Sequence, residues 1–164
     1  YSLVSVPLFN TAAVTNMTNM FYACYSLVSV PLFNTAAVTN MTSMFLSCYS
    51  LVSVPLFNTA AVTNMTSMFY NCFSLVSVPA FNCSSVTTGN FATMFTNCYS
   101  LTNIDMTGIN FSIAIPCKLS GARLDEIYTN LPVVVGQTIT VTSNYGVDSD
   151  TPAIATAKGW TCVG

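Results

Sequence analysis

Hydrophobic and polar positions along this chain repeat with a period of 24 residues. The stretch YSLVSVPLFNTAAVTNMT occurs verbatim from Tyr1, Tyr25 and Tyr49. Inside one unit the hydrophobic period changes. Val4, Val6 and Leu8 alternate with Ser5 and Pro7, which predicts a short strand. Val14, Met17, Phe21 and Cys24 then recur at steps of three, four and three, the inward face of a short helix. Thr15 or Asn16 can cap that helix by accepting a bond from an unpaired amide. Pro7, Pro31, Pro55 and Pro79 lack an amide donor, so each strand is expected to end at its proline. Each unit therefore reads as strand, turn through FNTAA, helical segment, and turn back through CYS.

One such unit cannot stand alone. About eight large apolar side chains at roughly 2 kcal/mol each do not offset the 1–2 kcal/mol that ordering each residue's backbone costs. Stacking removes the deficit. Strands about 4.8 Å apart would set like on like: Leu3, Leu27, Leu51 and Leu75 in one column, Phe9, Phe33, Phe57 and Phe81 in another. Asn10, Asn34, Asn58 and Asn82 would form an amide column that satisfies turn backbone. Units 1–24, 25–48 and 49–72 are near-copies, 73–98 is degenerate, and a fifth fades over 99–104. The fold expected for 1–104 is a right-handed α/β solenoid of short parallel strands and short helices, with a period in the leucine-rich-repeat range.

Beyond residue 104 the texture changes. GARLDEIYTNLP places Leu124, Ile127, Tyr128 and Leu131 at helical spacing, after Ser120 as N-cap and before Pro132 as stop. GQTITVTSNYG alternates Ile139 and Val141 as a strand running into a turn. A second helix is expected from Thr151 to Gly159, then a strand holding Trp160. Residues 105–164 read as an α/β cap that covers the C-terminal end of the stack, as open repeat arrays require. The first repeat has no such cover, and its edge invites another subunit or more chain.

Charge sharpens this division. Only 5% of residues are charged, against about 25% in ordinary soluble domains. All eight charged side chains lie at Asp105 or later. A neutral first hundred residues excludes phosphate binding by clustered Lys and Arg, so no nucleic-acid partner is expected. Ser, Thr and Asn interrupt every apolar run well short of the ~20 residues of a membrane span, so no insertion is expected either. The balance suits a virion surface or an extracellular setting.

Chemistry is sparse. With no histidine, triad and most zinc mechanisms are absent. Asp125 and Glu126 are adjacent and diverge on a helix. Asn144, Asp148 and Asp150 lack calcium-loop spacing. No catalytic residue, metal or cofactor is expected. Cys24, Cys48, Cys72 and Cys98 each close one repeat, too far apart in sequence for a zinc site, and are expected as a column of small buried thiols. Binding has better candidates. Tyr25, Tyr49, Phe73 and Tyr99 each follow an inward cysteine, and an outward aromatic column could stack on sugar rings and gain avidity by repetition. The near-copies differ at Asn19/Ser43/Ser67, Tyr22/Leu46/Tyr70 and Ala23/Ser47/Asn71. Variation at these places marks an exposed helical face, with Tyr22 and Tyr70 as further contact residues.

The unit VTNMTSMFYNCFSL, recurring in register through residues 1–104, resembles the VTNM…MF…C…L repeat of BspA-like leucine-rich-repeat surface proteins, including mycoplasma-type lipoprotein repeats. That resemblance implies an α/β solenoid and adhesion to host surfaces or matrix. The segment ending in ATAKGW is similar to C-terminal parts of bacteriophage tail fibres. Together these likenesses imply a non-enzymatic structural or adhesive module. The virion setting (a tail fibre, spike or capsid fibre that helps host attachment) is the first expectation, and a bacterial surface adhesin the alternative. Expected partners are host glycan or protein, other virion subunits, and a second copy docked at the first repeat's edge.

Overall fold

The computed structural model describes every residue except 1, 88, 90, 92, 116–118, 132, 143 and 145–149. The chain is mixed α/β with short parallel strands. Strand β1 (Ser77–Asn82) pairs in parallel with β2 (Asn103–Thr107), and β3 (Ile113–Ala114), β4 (Gln137–Thr140) and β5 (Trp160–Val163) form a parallel sheet in that order. Helix α1 spans Gly121–Asn130 and α2 spans Ala153–Thr156.

Residues 24 apart do lie side by side. Parallel bridges join Asn16 to Asn40 and Asn40 to Asn64. The amide of Val28 donates to the carbonyl of Val4, Val52 to Val28, Val76 to Val52, and Thr102 to Val76. Leu27, Leu51, Leu75 and Leu101 are all buried. Phenylalanines run in inner files: Phe21, Phe45, Phe69 and Phe95 have successive ring centroids 5.4, 5.6 and 6.0 Å apart. A second file, of Phe33, Phe57 and Phe81, packs against the first at 5.9–6.4 Å. Asn10, Asn34, Asn58 and Asn82 each accept the amide two residues on, at 3.0–3.2 Å. Thr11, Thr35 and Thr59 donate their hydroxyls to the next repeat's asparagine carbonyl.

The helix expected in each repeat is absent. Among the described residues of 2–98 there is no α-helix; Met17–Cys24 and its equivalents are successive tight turns. Met20 donates to Met17, Tyr22 to Asn19 and Cys24 to Phe21 within the repeat. The alternate amides of Met17, Asn19, Phe21 and Ala23 leave for the next repeat's Asn40, Thr42, Met44 and Leu46 at 2.8–3.0 Å. A helix keeps every amide for itself four residues back; here half go to a neighbour. The alternation needs left-handed backbone at two places per repeat: Asn19 (φ 58), Ser43 (53), Ser67 (54) and Thr93 (57), then Ala23 (56), Ser47 (62), Asn71 (61) and Asn97 (63). These include two of the three variable sets that read as an exposed helical face; the third, Tyr22/Leu46/Tyr70, is not left-handed, and Ala23 and Ser47 are buried rather than exposed. Spacing explains the choice, since a helix with its side chains is about 10–12 Å across. Inner rings 5–6 Å apart leave no room for one in every repeat.

The strand pattern also needs correction. Val30, Val54 and Val78 point inward as expected, but Val28, Val52, Val76, Leu32 and Leu56 are exposed. Inward positions step by three, through Leu27, Val30 and Phe33. Nor does every strand end at its proline. β1 runs through Pro79, and because the proline has no amide to donate the register with β2 shifts between Val78 and Phe81. The earlier repeats are left with an isolated bridge between Ser53 and Ser77 on this side.

The segment after residue 104 matches its pattern closely. Helix α1 buries Leu124, Ile127 and Tyr128 and follows Ser120, whose hydroxyl makes no capping bond. β4 and β5 hold buried Ile139 and Trp160. α2 is only one turn long and is followed by Gly159 (φ 86). Pro132 and the Tyr145–Gly146 turn lie outside the described residues.

Candidate functional site

Tyr25, Tyr49, Phe73 and Tyr99 are brought into one outer file because each follows a buried cysteine by one residue. Their ring centroids are 4.8, 4.8 and 5.8 Å apart, with interplanar angles of 26°, 18° and 7°. All four are exposed. This geometry alters what the file can do. Each inner ring is covered on both faces by its neighbours, so a sugar cannot stack between them. What solvent meets is a strip of ring edges and phenol hydroxyls, and the Tyr99 hydroxyl donates to Asn97 Oδ1 at 2.7 Å. Tyr22 is exposed and Tyr70 half-buried, in a separate row interrupted by Leu46.

The cysteine column is present, each of its thiols free and buried. Cys48, Cys72 and Cys98 donate their thiols to the carbonyls of Phe21, Phe45 and Phe69, each at 3.1 Å. Burial pushes the Cys48 and Cys98 thiols up to about 12, and Cys72 well above its ordinary value. Such thiols are poor nucleophiles and poor metal ligands. No disulfide is found among the described cysteines.

The described charged side chains clamp the C-terminal elements together. Arg123 bonds Asp105 on β2 at 3.1 Å and pairs with Glu126. Asp125 accepts the Thr151 amide (2.6 Å) and hydroxyl (3.1 Å), tying α1 to the start of α2. Tyr128, buried, donates to Asp150 at 2.6 Å; burial first, then this bond, raises its phenol well above the usual range. Lys158 reaches the carbonyls of Thr129 and Leu131, neutralising the end of α1. Asn144, considered above as a calcium ligand, is buried. Its side chain is used up on Leu119, Ile115 and Val141; Asp148 lies outside the described residues. Among the described residues, no group of three or more acidic or cysteine side chains could hold a metal, and no helix is long and apolar enough to cross a membrane.

One surface escaped the sequence reading. Leu8, Leu32 and Leu56 are 68%, 59% and 58% exposed, and three shallow grooves of 380, 360 and 340 Å³ open beside them, rimmed by Asn10, Asn34, Asn58 and Asn82. Ala80, where three repeats carry leucine, is the signal that could have found it. A position that swaps Leu for Ala while Val78 and Phe81 stay is not core.

Neither the curated proteins nor the solved structures contain a match to the chain. A family model described as Mycoplasma protein of unknown function, DUF285, matches residues 3–111, which takes in every one of the stacked repeats. The ATAKGW segment lies outside that match, and its likeness to phage fibres finds no support. The repeat, with its turn-forming VTNM unit and its cysteine file, thus identifies the chain as a member of the DUF285 family, the mycoplasma form of the BspA-like repeat.

Proposed function

We propose that this protein is a non-enzymatic adhesive module, a right-handed leucine-rich-repeat-like solenoid whose coils present the same uncharged side chains at regular intervals to an extracellular partner. The carrying observation is the file of Tyr25, Tyr49, Phe73 and Tyr99, held 4.8–5.8 Å apart on a backbone ladder. A row of ring edges and hydroxyls suits many weak contacts to a repeating glycan or an extended protein, where avidity replaces single-site strength. The spending of every described carboxylate except Asp105 and Glu126 on a neighbouring element other than an arginine, and of those two on Arg123, supports a non-catalytic reading. Of the two settings, the cell-surface adhesin is favoured by the family membership. The virion reading rests on residues 119–164 alone.

The test is binding of labelled protein to arrays of glycans and matrix proteins. Binding that drops at least tenfold in a Tyr25→Ala/Tyr49→Ala variant of unchanged fold is the expected result. Absence of binding across such arrays, or turnover of a polysaccharide, would remove the proposal.

A further inference from the structure

The outer aromatic file has a fixed rise, and a fixed rise selects among extended ligands. From Tyr25 to Tyr99 the ring centroids stand 4.8, 4.8 and 5.8 Å apart along the stack. An extended peptide laid along that line turns a side chain to one face about every 6.7 Å, and so slips against the rings by roughly 2 Å at each of the first two steps. Laid across the file, a peptide meets one or two rings and leaves the others idle. A chain of β-1,4-linked pyranoses behaves differently. Its links leave each sugar equatorially at opposite ends, so the chain runs straight and advances by one ring and one bridging oxygen per sugar, close to the rise of one coil. α-Linked chains, with an axial bond at every link, curl away from a straight file.

The polar groups beside the rings run in the same direction. Asn71 and Asn97 each precede a ring of the file by two residues. The Tyr99 hydroxyl donates to Asn97 Oδ1 at 2.7 Å, and Asn97 Nδ2 donates to Asn71 Oδ1 at 2.8 Å. Such a chain polarises along its length. It presents amide donors and a phenol oxygen one coil apart, which sugar hydroxyls, donors and acceptors at once, can meet. No charged residue occurs in the first 104 positions, whereas a sulfate or uronate is held by Arg or Lys. An uncharged chain suits this strip.

We propose that the file binds a neutral, linear, β-1,4-linked glycan lying along the stacking axis, one sugar to a coil, with the Asn71–Asn97–Tyr99 chain holding its hydroxyls. This inference rests on the adhesive reading and narrows it to one class of ligand.

The test is calorimetric titration of the full chain with cello- and N-acetylchito-oligosaccharides from the disaccharide to the hexaose. In at least one series affinity is expected to climb several-fold with each sugar up to the fourth and little thereafter, because four rings make the file. Malto-oligosaccharides, which are α-linked, and sulfated heparin fragments are expected not to bind. Phe73→Tyr, which supplies the one hydroxyl the file lacks, is expected to tighten tetraose binding several-fold. Asn97→Gly, at home in the left-handed backbone there (φ 63), is expected to weaken it several-fold with circular dichroism unchanged. Affinity that stops growing at the disaccharide would overturn the axial arrangement, and heparin binding as tight as that of either neutral series would overturn the neutral class. A chain that binds a matrix protein through Tyr25 and Tyr49 but neither glycan series would overturn this inference and leave the adhesive reading standing. A chain that binds neither glycans nor matrix proteins would remove both.

Discussion

The left-handed backbone at Ser43 offers a test in which a turn ladder and a helix give opposite signs. At Ser43 (φ 53) the amide donates to Thr66 (2.9 Å) and the carbonyl accepts from Leu46 (3.1 Å), so replacing the side chain removes neither bond. In a helix interior, glycine is worse than alanine by about 0.5–1 kcal/mol. In left-handed backbone the Cβ itself costs about 1–2 kcal/mol, while glycine's extra unfolded-state freedom gives back about 0.4–1 kcal/mol. Ser43→Gly is therefore expected to be more stable than Ser43→Ala by roughly 0.5–1 kcal/mol, a rise in Tm of about 1–4 °C for a chain this long. Ser43→Val, branched at Cβ, should be the least stable of the series. Urea unfolding followed by circular dichroism would rank the three. If alanine beats glycine, the backbone at residue 43 is helical and the alternating ladder described here is wrong.

Alkaline pH should weaken the fold through the thiols. Cys48, Cys83 and Cys98 hold their protons up to about 12 when folded, against an ordinary value of 9.0. Between those values the native state binds more protons than the unfolded one, so stability is intact below pH 9 and falls as pH rises toward 12. The loss should approach 1.4 kcal/mol per pH unit for each thiol, and a Cys48→Ala/Cys98→Ala variant should show a shallower pH slope in its urea midpoint. Phe45→Ala, emptying a site between the Phe21 and Phe69 rings, should cost about 3–5 kcal/mol; a loss under about 1 kcal/mol in the same urea assay would contradict the inner file. Gly159→Ala would place a Cβ 1.9 Å from the Val134 carbonyl oxygen at φ 86, and thermal unfolding should fall by several degrees as β5 shifts.

Much of this molecule was legible in its residues. Self-similarity at 24 positions set which residues would be neighbours, and the buried Leu27, Phe45, Met44 and Cys48 columns follow from that period alone. The C-terminal elements were legible too, because α1 and β4 carry ordinary helix and strand periods bounded by Ser120 and Gly136. The aromatic file at Tyr25, Tyr49, Phe73 and Tyr99 was foreseen as a column, though the closeness that covers its ring faces was not. Inward steps of three, four and three are shared by a helix and by a run of tight turns, so side-chain periodicity cannot separate them.

What separates them is the destination of the backbone amides, and for Met17, Asn19, Phe21 and Ala23 that is a carbonyl 23 residues further along. Asparagine and serine at the left-handed positions were a faint hint, since short polar side chains tolerate that backbone best. The outward turn of Leu8, Leu32 and Leu56 was likewise decided in three dimensions. An apolar residue beside a proline reads as core until the neighbouring repeat fills the interior with Leu27, Val30 and Phe33 and leaves the next leucine outside. The 24-residue period alone named which residues meet, while the narrow rise between repeats, felt only once they stack, chose turns over helices and decided which apolar side chains face water.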